Sequence, residues 1–546
     1  MELRQNTLIG FRLAPATLTD TSLVLVWHRP VSQNIVDKYQ MLQNDQVIEI
    51  LPASHTYCTV TGLSPSLEYN FSLVVSFVNS DEIVREEITV QTKHAKRKMI
   101  NIAQPAYHVD TSGDQLSTRQ VQTAIDDCPK DGIVWVPEWA TIKIGAIDLK
   151  SDMTLQVDGI LVGSEDPKDY QFDLDNSSEY TKYQGKINED GLILTRYEGW
   201  EMYCYRSMIN IGYLNPLSRE SRVCRNVTIL GKGKIVGAGN VVGEKMKAAY
   251  ANASRYPKYV SDNIPGRRVR GRLVNVIQAT NIHFSGVTFE KSPSWTIHLV
   301  YSDTITIHGI NIDSQGIDNG DGIDPDSCQN VLMFDINFDT GDDCIAIKSG
   351  KNPEGNRINI PSKNIEIFDL NMLGGHGLAI GSEQSGGIED IEVHDCLIQN
   401  TDHGIELKAN RERGGYIRHV HISHCKIDSF FAREVQYNMD GLSASNPPII
   451  KDLSLLDCEI TGARRSTDVM GHPIDSKNKA IEIIGFRGDS DDYYIEQVSL
   501  KNVVVKRSID QIYLNCCKRV LFQNVSVPNK SINLRLGHEI EDLKFT

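Results

Sequence analysis

From about residue 100 to the C-terminus the sequence repeats one short template: a polar residue, often asparagine, then Ile/Val-x-Ile/Val/Phe, a few polar residues and a second short apolar run. Copies begin at Asn281 (NIHFSGVTF), Thr304 (TITIHGINI), Asn330 (NVLMFDINF), Asn364 (NIEIFDLNM), Asp390 (DIEVHDCLI) and Tyr416 (YIRHVHISHCKI), with later copies at Leu453, Val498 and Val520. Strands this short, β-branched at their centres and with no amphipathic helix between them, bury an apolar face only by stacking copy on copy. The pattern predicts an all-β chain built on a right-handed parallel β-helix whose coils differ in loop length. A leucine-rich repeat is the structural rival, but its leucine and asparagine spacing is absent. Residues 118–126 (TRQVQTAID) have helical spacing and are expected to cap the open end of the stack. Two polar segments rich in Tyr, Arg and Lys, residues 165–223 and 241–270, break the rhythm and read as functional loops walling a cleft.

The first 95 residues have a different texture, with short apolar runs (TSLVLVW, HTYCTV, YNFSLVVSF) separated by turn residues, as in a small β-sandwich. Trp27 should anchor its core, and Tyr69 after Gly62-Leu63-Ser64-Pro65 should tie its hydroxyl back to backbone. This segment resembles a fibronectin type III domain. The basic run 93–98 reads as the start of a linker, giving a division into residues 1–95, a linker 96–105 and a β-helix 106–546.

The balance of 56 Lys+Arg against 71 Asp+Glu, a net charge of −15, argues against nucleic acid or an anionic membrane as partner. Eleven cysteines, several inside apolar strands and without CxxC pairs, predict buried free thiols in a reducing compartment. The opening MELRQNTLIGFRL lacks a basic segment followed by an apolar one, and no apolar run is long enough to span a bilayer; the expected location is the cytoplasm.

A second repeat lies over the first. GDDCIAIKSG from Gly341 can be set against GGHGLAIGSE from Gly374 and TDHGIELKAN from Thr401. In that register Asp343 lies over His376 and His403, and Lys348 over Gly381 and Lys408. Setting NGDG from Asn319 against TGDD from Thr340 places Asp321 one coil from Asp342. Coils of a parallel stack are ~4.8 Å apart, so three carboxylates, a histidine and a lysine converge on one patch. Any single aspartate at such a turn most often satisfies backbone donors. Three together repel one another, and clustered carboxyls raise each other's proton affinity. One can then stay protonated as general acid while another is ionised as base, as in glycosidic bond hydrolysis.

At these residues the chain resembles the pectin-degrading polygalacturonases of glycoside hydrolase family 28. The resemblance rests on NGDGIDPDS (residues 319–327), GDD (341–343), GGHGLAIGS (374–382), TRYEG (195–199), SPSW (292–295) and KDGIVWVPEW (130–139), and covers about four-fifths of the chain. It implies an inverting hydrolase of α-1,4-galacturonosyl linkages, working without metal or other cofactor on a galacturonate-containing oligo- or polysaccharide. By position Asp342 would protonate the leaving oxygen, Asp321 and Asp343 would activate water, and His376 would hold the acid's proton or contact substrate. Asn319 would orient Asp321. The family's Arg-x-Lys pair, which receives the substrate carboxylate, reads Glu406-Leu407-Lys408 here. Lys408 suits that role, whereas Glu406 would repel a uronate unless Arg411 or Arg413 pairs with it, or Arg413 supplies the missing cation. The departure leaves rhamnogalacturonan or a decorated galacturonan as the alternative substrate. His403 and Lys348 are secondary candidates that read as structural. Family members with an N-terminal fibronectin-like domain and enlarged loops act from chain ends, which makes exo-action the expectation.

Two rivals remain at this stage. A pectate lyase shares the β-helix but needs calcium and an arginine base, and no arginine takes that place in the register. A carbohydrate-binding protein without activity would have no use for three acids and a histidine in matched turns.

Overall fold

The computed structural model describes residues 9–546 except 31–34, 95–96, 176–181, 435–439, 463–478, 487–493, 507–509 and 528–530. The first eight residues, which bear on the leader reading, and the start of the expected linker therefore lie outside the described residues. Two units separate, Met1–Lys98 and Met99–Thr546.

The first unit is all antiparallel. Arg12–Leu13, Ser22–Val26 and Tyr57–Thr61 form one sheet, and Gln46–Pro52, Val36–Gln43, Glu68–Phe77 and Ile83–Gln91 form the other, in that order. Apolar side chains alternate inward, so Leu25, Trp27, Tyr39, Phe71 and Leu73 are all fully buried. Trp27 packs edge-on to Tyr39 at 5.3 Å. The Ser64 N–H donates to the Tyr69 hydroxyl at 2.8 Å, closing the corner that the sequence predicts.

The second unit is a right-handed parallel β-helix. One sheet of 12 short strands runs along one side and a 23-stranded sheet makes the rest of the wall. Successive coils pair in register, Ile323 with Ile345, Ile345 with Leu378, Leu378 with Ile405 and Ile405 with Phe430, and all five point into one dry column. The polar residue that opens each template copy has a physical reason. Asn281, Thr304, Asn330, Asn364 and Asp390 occupy equivalent positions and all have φ between 54° and 58°. Asparagine and aspartate tolerate this left-handed conformation best among residues with a Cβ. The side chains also form ladders, Asn364 Nδ2 donating to Asn330 Oδ1 at 3.1 Å and Asn371 to Asn337 at 2.9 Å.

The helix Thr118–Asp127 covers the first coils with Val121, Ala124 and Ile125 buried. Its Gln122 accepts from the Asp148 N–H at 2.8 Å and donates to the Asp148 carbonyl at 3.1 Å, satisfying an exposed strand edge. The solenoid starts earlier than the sequence reading placed it. Met99–Asn101, inside the expected linker, pairs with Ile133–Trp135, and Ile100 and Ile102 join the core. Four residues of M-I-N-I are too few to display the repeat. Of the two interruptions, the first carries the hairpin Ile193–Tyr197/Trp200–Cys204 and the second the helix Gly239–Ala249.

Candidate active site

The outward face of the 12-stranded sheet carries the candidate residues. Its strands Ile323–Asp326, Ile345–Ile347, Leu378–Ile380 and Ile405–Ala409 lie side by side, and the bend before each projects a polar side chain. The glycines of GGHG let these bends stack. A Cβ on Gly375 would sit 2.0 Å from Thr340 Oγ1, and one on Gly377 would sit 2.1 Å from the Gly404 carbonyl. Both have positive φ, 73° and 94°.

The register carries Asp343 over His376 and His403, and Lys348 over Gly381 and Lys408, as expected. The first step differs by one residue. Ile323 pairs with Ile345, and Gly322 N–H donates to the Asp343 carbonyl, so Asp321 stacks on Asp343 rather than on Asp342. Matching the two Gly-Asp pairs misplaced the coil, because the hydrogen bonds rather than the glycines fix the step.

Asp342 and Asp343 sit in the irregular bend before Ile345 and present both carboxylates to one pocket. His376 Nδ1 lies 2.8 Å from Asp342 Oδ1 and 3.5 Å from Asp343, while its Nε2 is 3.3 Å from Asp402. Asp342 also accepts from the Asp343 N–H at 2.9 Å and from Asn319 Nδ2 at 3.4 Å. Asn319 therefore steadies Asp342, not Asp321 as predicted, and is itself held by Arg270 at 2.7 Å. Lys408 Nζ reaches both oxygens of Asp343, at 3.3 and 3.4 Å.

Lys348, which the sequence reading set aside as structural, is an ammonium 5% exposed among three carboxylates. It lies 3.9 Å from Asp321, 3.5 Å from Asp324 and 3.4 Å from Glu383, and 4.7 Å from the centre of the Trp295 ring. Asp324 and Glu383 were missed. The alternation from inward-facing Ile323 could have revealed Asp324, but Glu383 lies beyond the strand Leu378–Ile380, where no period applies.

Glu406 and Arg413 need correction. Glu406 pairs with Arg433, one coil further on, whose Nε donates to Glu406 Oε1 at 2.9 Å and whose Nη2 reaches the same oxygen; neither Arg411 nor Arg413 is its partner. Arg411 lies over the Phe486 ring instead. Arg413 is fully buried, donating to the Ser382 carbonyl at 3.1 Å and to Asn352 Oδ1 at 2.8 Å, so it cannot serve as the exposed cation for a uronate. His403 stands beside His376 with ring centres 5.3 Å apart, and burial pushes it down to about 4.

Burial pushes every carboxyl here upward, and the neighbours decide the outcome. For Asp342 the cationic His376 outweighs burial and holds it well below the usual range. Lys408 and His376 do the same for Asp343. For His376 the two aspartates overcome burial and raise it well above the ordinary value. Asp321 is raised by burial and by the charges of Asp324 and Asp342. Asp324 is pushed up by burial to about 7 despite Lys348. The site thus favours a protonated His376 beside ionised Asp342 and Asp343, and favours the neutral form of Asp321 and Asp324.

Donor atoms of Asp342, Asp343 and His376 lie within 4.8 Å of one another, a spacing that could also hold a divalent ion. Here the imidazole nitrogen already faces Asp342, and Lys408 faces Asp343.

The raised carboxyls give a stability prediction. Unfolded aspartate titrates near ~3.9, so the folded state binds extra protons between there and about 7, and stability falls as pH rises through about 7. Asp324→Asn should therefore melt higher than the parent at pH 8.5, by a margin that shrinks at pH 5. Equal melting temperatures at both pH values would contradict this titration.

These side chains line a narrow polar cleft together with Glu198 and Asp262 from the two interruptions. A parallel β-helix with a cluster of carboxyls, a histidine and two lysines in a narrow polar pocket defines the class: a solenoid with a site suited to acid–base chemistry. Residues 216–446 match the family described as glycosyl hydrolases family 28, and residues 12–92 match the fibronectin type III domain. An exo-poly-alpha-D-galacturonosidase from Dickeya chrysanthemi is 25% identical over 72% of this chain and 70% of its own length. A probable polygalacturonase from Vitis vinifera is 38% identical over 28% of this chain, and the match spans 32% of that protein. Among solved structures, the family 28 exopolygalacturonase of Yersinia enterocolitica superposes with a TM-score of 0.80 over 98% of both chains, at 22% identity. The fold is thus that of the Yersinia enterocolitica exopolygalacturonase, and the stretch that carries the site, residues 216–446, is similar to the glycosyl hydrolases of family 28.

Proposed function

We propose that the chain is an inverting, exo-acting hydrolase of α-1,4-galacturonosyl linkages in pectic polysaccharides or oligogalacturonides. The observation that carries this reading is the separation of roles within one cluster: Asp342 hydrogen-bonded to a protonated His376, and beside it Asp343 held ionised by Lys408. As the glycosidic bond breaks, the leaving oxygen becomes basic and takes a proton through Asp342, the proton coming from the His376 imidazolium bonded to it, which is left neutral. Asp343 accepts a proton from the water that attacks the anomeric carbon on the opposite face. Asp321, which holds a proton in the free site, orients that water. Inverting enzymes usually hold acid and base carboxyls ~6.5–9.5 Å apart; the nearest donor oxygens of Asp342 and Asp343 lie within 4.8 Å of each other, so the anomeric configuration of the first product decides the stereochemistry. Lys408, at the cleft and 14% exposed, is the cation available to a substrate carboxylate.

Exo-action is supported by Glu198 and Asp262, which come from the two insertions and line the cleft together with the catalytic coils. The alternative substrate, rhamnogalacturonan or a decorated galacturonan, rested on repulsion by Glu406. Arg433 neutralises that charge, so unsubstituted galacturonan is preferred.

The test is the product profile on oligogalacturonides over time, with and without EDTA, run beside rhamnogalacturonan oligomers. Only saturated mono- or digalacturonate should appear from the first time point, unaffected by EDTA. Mixed sizes at the outset would refute exo-action. Unsaturated, EDTA-sensitive products would refute hydrolysis, and activity confined to rhamnogalacturonan would refute the substrate.

A further inference from the structure

Part of the cleft lining comes from outside the solenoid. Glu198 sits at the tip of the hairpin Ile193–Tyr197/Trp200–Cys204 in the left-handed region, φ 44°, and Asp262 comes from the second interruption. Something must hold these insertions against the catalytic coils, because neither is paired into the coil stack.

Arg196 ties the hairpin to Asp326, and Arg267 ties the second interruption to Asp318; the contact that joins both insertions at one point is an ionic cluster centred on Asp440, a residue 27% exposed in the connection between Phe430–Glu434 and Ile449–Leu456. Its Oδ1 lies 2.6 Å from Lys351 Nζ and 3.7 Å from Arg413 Nη1, and its Oδ2 meets Arg268 Nη2. Arg268 turns its Nε to Glu198 Oε2 at 2.7 Å, and Ser261 Oγ donates to Glu198 Oε1 at 2.7 Å. One carboxylate thus joins cations from three places: the second interruption, the loop after Ile345–Ile347 and the loop after Ile405–Ala409.

The hairpin is fixed at the same point. Arg268 and Lys351 lie 4.8 and 4.7 Å from the centre of the Trp200 ring, whose Nε1 donates to the Asn352 carbonyl at 3.2 Å. The Lys351 N–H donates to the Gly199 carbonyl at 3.0 Å, and a Cβ at Gly199 would come within 2.6 Å of Lys351 N. Lys351 is fully buried and Arg268 is 4% exposed. Without Asp440 these cations lose the carboxylate that bridges them, although Glu198, Glu383 and Asp262 remain within electrostatic reach, and buried like charges repel.

We propose that Asp440 is the clasp that holds Glu198 and the second interruption in place as the closed end of the pocket, and so selects chain-end over mid-chain cleavage. The inference rests on the exo reading above. Asp440 is a positioning residue, since it acts through Arg268 and Lys351 and does not line the cleft.

The experiment compares the parent with Asp440→Asn, Asp440→Glu and Arg268→Lys on long polygalacturonate and on trigalacturonate, each variant assayed 15 °C below its own melting temperature. Products are sized from the first seconds, and viscosity is recorded against reducing ends formed. Asp440→Asn and Arg268→Lys should release fragments of mixed length and raise the viscosity loss per bond cut at least tenfold. Turnover of trigalacturonate should stay within about threefold, and Asp440→Glu should restore the parental sizes. Parental sizes from both Asp440→Asn and Arg268→Lys would overturn the clasp while leaving the exo reading intact. Mixed sizes from the parent itself would overturn both.

Discussion

Asp342→Asn should lower kcat on tetragalacturonate by about 10³-fold, within the ~10²–10⁴-fold that general acid–base groups contribute, while the melting temperature moves by no more than a few degrees. Asparagine keeps the shape and its one carbonyl oxygen can still accept the 2.9 Å bond from the Asp343 N–H, while the long 3.4 Å bond from Asn319 Nδ2, which goes to the other oxygen, is lost. What disappears is the proton path: the amide cannot pass a proton to the leaving oxygen, and His376 loses the main anion that keeps it protonated. The variant should therefore show a second signature. The imidazole pKa, read by NMR, should fall toward its ordinary value. A variant as active as the parent, or an imidazole titration that does not move, would remove Asp342 from the acid role.

The second large effect is on stability. Lys348→Met should cost about 3–5 kcal/mol at pH 8.5, the range seen when one partner of a buried ion pair is removed. Asp321, Asp324 and Glu383 would be left crowded around a thioether. The loss should shrink toward pH 5, because the two raised aspartates take up protons and cease to need a counter-charge. Denaturant unfolding at the two pH values measures this directly. Adding Asp324→Asn to Lys348→Met should recover part of the loss at pH 8.5, a coupling expected of groups in one network. A loss independent of pH would mean that Lys348 contributes packing over Trp295 rather than charge.

Most of the architecture was legible because a solenoid writes its period into the sequence. The polar residue at a left-handed position, repeated from Asn281 to Asp390, and the alternating apolar columns identify each coil without reference to any other. The stack of Asp343, His376 and His403 followed from the same period. Legibility failed where the period did. Met99–Asn101 is one short strand with no repeat of its own. The step from Asp321 to Asp343 was misread because matching Gly-Asp pairs looked like register. The partners that set the electrostatics come from other coils or from insertions: Arg433 for Glu406, Arg270 for Asn319, Asp440 for Lys351. No spacing rule predicts which arginine reaches which acid across a coil, so Arg413 was assigned to substrate when it belongs to the loop scaffold. Lys348 was undervalued for the same reason, since its three carboxylate neighbours, Asp321 and Asp324 on one coil and Glu383 on another, all lie off its own coil.

The account turns on an acid and an opposed base that deliver water to the face away from the leaving group. The most direct measurement is proton NMR of the sugar released from tetragalacturonate, recorded before mutarotation equilibrates the anomers. The account predicts that the first saturated mono- or digalacturonate carries the β configuration at its new reducing end and that the α form grows in afterwards. An α product at the first time point, or an unsaturated one, would contradict the assignment of Asp342 as acid and Asp343 as base.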